Sequence, residues 1–109
     1  MGRDRLGEFE HRVLLATLRL GGEAYSVPLV LELEERTGRE VSQSSVFIAL
    51  QRLEKKGLLS SRIDESTKAT TGRVRRYFQL TPTALERLRE SRRDLMALWD
   101  GVAAMLDEA

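Results

Sequence analysis

The side chains best placed to do chemistry in this 109-residue sequence are bases, and they are concentrated. Between Arg52 and Arg76 stand Arg52, Lys55, Lys56, Arg62, Lys68, Arg73, Arg75 and Arg76, against only Glu54, Asp64 and Glu65. From Glu23 to Arg36 the balance reverses, with Glu23, Glu32, Glu34 and Glu35 facing Arg36 alone. The formal net charge is only +1, so the polarity belongs to faces and not to the whole chain. Cations gathered on one face neutralise phosphates, and the chemistry they indicate is binding to a polyanion. Bond-making chemistry has little to work with. His11 is the one histidine and there is no cysteine. No Gly-rich phosphate loop follows a strand, no His/Cys/Asp cluster has metal spacing, and no serine sits in a nucleophile elbow. The reading is a non-enzyme with no cofactor and no metal.

The elements that must carry these cations follow from local signals. From Glu8, the stretch EFEHRVLLATLRL sets Phe9, Val13, Ala16 and Leu20 at three-four spacing, with Leu14 and Leu18 widening the stripe. That is a helical rhythm, and Gly21-Gly22 ends it. Ser26 reads as the N-cap of a second helix from about Val27 to Thr37, with Pro28 in its first turn and Val30, Leu31 and Leu33 toward the core. Gly38 closes it, and only Gly38 to Val41 separate it from the next helix, a spacing that suits a helix-turn-helix.

The third helix, from Ser42 to Lys56, is the best marked. Ser42 is its N-cap, Val41 and Val46 form a hydrophobic staple, and Gly57 stops it. Val46, Ala49, Leu50 and Leu53 gather on one side, leaving Ser44, Ser45, Ile48, Gln51, Arg52 and Lys55 on the other, with no acid among them. Leu58, Leu59 and Ile63 then read as a short strand and Val74 to Leu80 as a second. In the second strand Arg76 falls on the same side as Val74, Phe78 and Leu80. The polar loop from about Asp64 to Arg73 is too long for a tight turn and suits a flexible wing. Thr81-Pro82 opens a last helix. Leu85, Leu88, Leu95, Trp99, Val102 and Leu106 give it an apolar seam on a single helix of roughly 25 residues. Gly101 lies inside this seam and lowers helix propensity by roughly 1 kcal/mol.

The fold class is therefore α+β, mainly α: a winged helix-turn-helix with a two-stranded wing and a long C-terminal helix. Residues 1–81 form the DNA-binding part and 82–109 the dimerisation helix of one compact unit. No apolar run approaches the roughly 20 residues of a membrane span, and no secretory h-region follows Met1. The expectation is a cytoplasmic protein that does not engage membranes.

Three stretches then resemble the PadR-type regulators of bacteria: LGEFEHRVLLATLRLGGEAYSVPLVLELEERTGREVS, SSVFIALQRLEKKGLL and TTGRVRRYFQLTPTALERL. The resemblance runs from Leu6 to about Leu88. It implies a homodimer whose third helix enters the major groove and whose wing contacts the flanking backbone at a pseudo-palindromic operator, with repression as the usual outcome. The single C-terminal helix resembles the short members of the family, in which it makes the dimer. Two positions depart from the pattern: Phe47 stands where Tyr is usual, and Ser26 where Gly usually follows the aromatic residue.

Each expected contact can be named. Ser44, Ser45, Ile48, Gln51 and Arg52 face base edges. Gln51 suits adenine, Arg52 suits guanine or phosphate, and Ile48 suits a thymine methyl. Lys55, Lys56, Lys68, Arg73 and Arg75 neutralise phosphates, and Gly72 lets the wing backbone approach closely. Arg76 is assigned a structural role and Phe47 a packing one. Leu95, Trp99, Val102 and Leu106 form the dimer interface. Two alternatives stand beside duplex DNA as partner. One is a sensor that takes a small, flat aromatic effector beside Trp99. The other is a protein-interaction module whose seam binds a different partner's helix.

Overall fold

A computed structural model describes residues 5–67, 72 and 74–109. Helix α1 (Glu8–Arg19) is followed by a two-residue strand β1 (Glu23–Ala24). Helices α2 (Ser26–Thr37) and α3 (Gln43–Lys55) come next, then strands β2 (Leu59–Asp64) and β3 (Arg75–Leu80). The chain ends in α4 (Pro82–Trp99) and a short α5 (Ala103–Glu108).

In α1 the face that turns inward carries Val13, Leu14, Ala16 and Thr17. The Thr17 hydroxyl is satisfied by donating to the Val13 carbonyl at 2.8 Å. Leu18, expected to widen this stripe, is exposed, as is Leu15. Gly21 and Gly22 both take left-handed φ values, 96° and 95°, where a side chain is strained. This reversal delivers the chain to the sheet, where the Gly22 carbonyl accepts from the Leu80 N–H.

The sheet has three strands in the order β1-β3-β2, all antiparallel. The wing therefore has the two strands expected, and β1 is an addition, held by pairing Glu23 with Gln79 and Ala24 with Phe78. Two residues carry no periodicity for a sequence to reveal.

Helix α2 begins one residue earlier than expected, with Tyr25 at its N-cap and no side-chain cap bond. Ser26 is not that cap. Its Oγ accepts instead from Gln43 Nε2 at 3.2 Å, joining the starts of α2 and α3. The core residues of α2 are Leu29 and Leu33, whereas Leu31 is 60% exposed. At 100° per residue Leu31 lies about 200° from Leu29, on the far side of the helix. The turn into α3 is braced by Glu34, whose carboxylate accepts from the Val41 N–H at 3.0 Å.

Helix α3 follows its sequence signals closely. Ser42 caps it by accepting from the Ser45 N–H at 3.0 Å, and Val46, Ala49, Leu50 and Leu53 are buried. They join Leu58, Leu59, Phe78, Ala84 and Leu88 in one core. The start of α4 is tied to the end of α3 through Thr81. Its Oγ1 accepts from the Ala84 N–H and donates to the Gly57 carbonyl.

The expected single C-terminal helix is two. α4 stops at Trp99, Asp100 leaves the helical region at ψ 115°, and Gly101 turns with φ 78° before α5. Only Ala84 and Leu88 of α4 are buried, and none of α5 is.

Candidate nucleic-acid interface

Because α3 buries one face, its other face is fixed in the open. Ser44, Ser45, Ile48, Gln51, Arg52 and Lys55 are all exposed, as the helical rhythm requires. Ser45 is also tied into the cap, since Ser42 Oγ donates to its Oγ at 2.6 Å. Phe47 meets Phe78 edge-on with ring centroids 6.3 Å apart, so it packs against the root of the wing.

The cations divide by what already engages them. Lys56, expected at a phosphate, instead donates to Glu10 Oε1 at 2.6 Å and to the Arg5 carbonyl. Its side chain is 20% exposed and that of Glu10 9%. This ion pair pins the end of α3 to the start of α1, where Glu10 also accepts from the Gly7 N–H. Burial pushes the Glu10 carboxyl up, but the bonds from Lys56 and Gly7 and the charges of Lys56 and Arg52 outweigh it and hold the group below its ordinary value.

On the wing, Lys68 and Arg73 lie outside the described residues. Gly72 is exposed with φ 76°. Arg75 is half-buried, its guanidinium carbon 4.5 Å from the Tyr25 ring centroid. Arg76 occupies the core-side register beside Phe78, as expected. It runs past the core edge, where its Nη1 donates to Ser61 Oγ at 2.9 Å. Ser61 in turn donates to Glu54 Oε2, linking the wing to α3.

Among the described residues, concavities flank these elements. One, of about 600 Å³, lies between the wing root and the starts of α2 and α3. Tyr25, Val27, Gln43, Phe47, Ile63, Val74 and Arg76 are among its walls. Another, of about 550 Å³, runs between α1 and α4, lined by Leu15, Leu18, Leu85, Leu88, Leu95, Met96 and Trp99 with His11, Arg89 and Arg92 beside them. Burial holds the His11 imidazole below its ordinary pKa, favouring the neutral ring. Leu95 and Trp99 of the expected interface share this groove. Val102 and Leu106, past the helix break, are exposed but not among its lining residues.

Sequence reasoning passed over Leu15 and Leu18 as groove residues. The signal was present in α1, whose apolar positions outnumber those one helix face can bury. It also passed over Tyr25, Tyr77 and Glu23, which the sheet brings together across long sequence separations.

The comparisons agree with this geometry. A family model described as the transcriptional regulator PadR-like family matches residues 14–90. A PadR family transcriptional regulator from Eggerthella lenta is similar at 29% identity, covering 91% of this chain and 87% of that one, with a TM-score of 0.67. A PadR-like transcription factor from Bacteroides fragilis is similar at 28% identity, covering 95% and 91%, with a TM-score of 0.68. The fold is also that of F93 from STIV, a winged-helix DNA-binding protein, at 12% identity, coverage of 84% and 91%, and a TM-score of 0.67. No curated protein matches the sequence significantly. Among the described residues no helix is long and apolar enough to cross a membrane.

Proposed function

The chain belongs to the PadR-like family of transcriptional regulators, and from that premise we propose that it represses transcription as a homodimer on a pseudo-palindromic operator. The carrying observation is the exposed face of α3, polar but for Ile48, free of acids and ending in Arg52 and Lys55, packed beside strands that carry Arg75 and Arg76. Ser44, Ser45, Ile48, Gln51 and Arg52 read base edges, while Lys55, Lys68, Arg73 and Arg75 hold phosphates. Lys56 acts through α3, by fixing the end of the helix against α1.

The groove between α1 and α4 supports the dimer. Leu15, Leu18, Leu95, Met96 and Trp99 expose apolar side chains along one groove, the kind of surface that marks an interaction site. A second copy related by a twofold axis covers it and sets two α3 helices toward successive major grooves. In this reading residues 1–81 bind DNA and 82–109 dimerise, with α1 completing the dimer surface.

Selection of bound sequences from a random duplex pool, with sedimentation of the purified chain, tests the proposal. The expected outcome is a palindromic motif and a stable dimer. Absence of enrichment removes the DNA reading, and a monomer removes the symmetric one. Replacing both Lys68 and Arg73 with Ala is expected to lower affinity on every sequence and flatten its salt dependence.

A second reading has its own observation. Trp99 is 48% exposed at one end of the apolar groove, a setting that suits a flat aromatic effector between two copies. Quenching of its fluorescence by planar aromatic compounds, lost in Trp99→Phe, is the outcome that favours it. Silence across a broad panel favours simple packing.

A further inference from the structure

We propose that Tyr25 and Tyr77 are positioning residues for DNA binding. Together with Arg62 and Glu23 they build a stack across the outer face of the sheet that sets where the Arg75 guanidinium meets a phosphate. The inference rests on the DNA-binding reading above and adds to it a device that aims one wing cation.

Strand parity places the parts. Ala24 and Phe78 point into the core, so Glu23, Tyr77 and Arg75 take the opposite face. Arg62 sits directly across from Tyr77 in the β2–β3 register. The contacts then run in sequence. The Glu23 carboxylate accepts two bonds from Arg62, from Nε at 3.0 Å and Nη2 at 3.1 Å. The Arg62 guanidinium carbon lies 4.7 Å from the Tyr77 ring centroid. Tyr77 meets Tyr25 edge-on, 5.4 Å between centroids at 70°. Arg75 closes the row 4.5 Å from the Tyr25 centroid.

The two ends differ. Arg62 is neutralised by a bidentate carboxylate, which anchors the row to β1. Arg75, at the start of β3 on the side of the wing loop, has an aromatic face as its support. Asp64, directly across from Arg75 in the register, accepts from the Ser66 hydroxyl and N–H, and its carboxyl is held below its ordinary value by those bonds first and by the charges of Arg62 and Arg75 after them. A guanidinium held over a ring face keeps N–H groups available to a phosphate and loses less rotamer freedom on binding than a free side chain. Tyr25 lies immediately before α2, so the same row locks the wing's cation to the helix-turn-helix body.

A thermodynamic cycle on the full chain with its selected operator duplex tests this, with binding followed by fluorescence anisotropy across a salt series. Tyr25→Leu is expected to weaken binding roughly two- to fivefold, the size of one exposed cation–π contact, and to flatten the salt dependence. Tyr25→Phe keeps the ring and is expected to bind like the parent. In an Arg75→Ala background, Tyr25→Leu is expected to add nothing. Equal losses in both backgrounds, or no loss from Arg75→Ala alone, overturn the stack while leaving DNA binding intact. A parent chain that binds no duplex overturns the proposed function as well, and the two failures are distinct. If Tyr25→Leu does not fold, the same cycle with Tyr77→Leu decides, with the same outcomes.

Discussion

The winged-helix body and the C-terminal end share an apolar three-four spacing but not its consequence. From α1 to Leu88 the spaced residues find partners within the chain, and Phe78, Leu50, Leu53 and Leu58 are fully enclosed. From Arg92 onward every residue is exposed, including Leu95, Met96, Leu98 and Trp99. Periodicity says only which residues share a face. Whether that face is covered depends on what the rest of the fold brings to it: the body covers most of its own, Leu15 and Leu18 of α1 excepted, while the end covers none.

Four substitutions break or sharpen this contrast. The largest effect belongs to the body: Leu53→Ala is expected to cost about 2–5 kcal/mol of folding free energy in denaturant titration. Next is the uncovered end. Trp99→Ala is expected to leave the body folded but to weaken the proposed dimer by about 2 kcal/mol or more in sedimentation equilibrium. An undiminished dimer would move the interface elsewhere.

Lys56→Met is expected to cost about 1–2 kcal/mol by leaving the Glu10 carboxylate without its main partner. It also changes the acid limb. The Glu10 pKa is depressed in the folded state, so the unfolded chain binds the proton more readily. The pair's contribution is therefore complete above the unfolded value of about 4.3, and it is lost as pH falls through the lower folded value. Parent and variant stabilities should converge over that window in acid unfolding followed by circular dichroism. The smallest effect is Leu98→Ala. Leu98 is 72% exposed and outside the groove lining, so less than about 0.5 kcal/mol is expected in either stability or dimerisation.

The parts legible in the sequence are those built from neighbours along the chain. The boundaries of α3 follow from Ser42, whose hydroxyl caps its own helix three residues on, and the start of α4 follows from Thr81 and Pro82 in the same way. The open face of α3 follows from the burial of the other. Where the structure departs from these local signals, the departures share a cause. Ser26 has the chemistry of a cap, but its hydroxyl is taken by Gln43 from α3. Lys56 has the chemistry of a phosphate contact, but Glu10 reaches it from 46 residues away. Leu31 has the apolarity of a core residue, but the face set by Leu29 and Leu33 turns it out. A seam meant for one helix is divided where Asp100 and Gly101 break it.

Helix order, the open face of α3, the wing and the family to which they belong are legible along the chain, because capping, periodicity and turn chemistry act over a few residues. Which cations are spoken for is a matter of tertiary packing. It gave Lys56 to Glu10 and Arg62 to Glu23, laid Arg75 on Tyr25, and left the α1–α4 groove uncovered. Those outcomes depend on strand register and helix packing, which join residues that no local pattern connects.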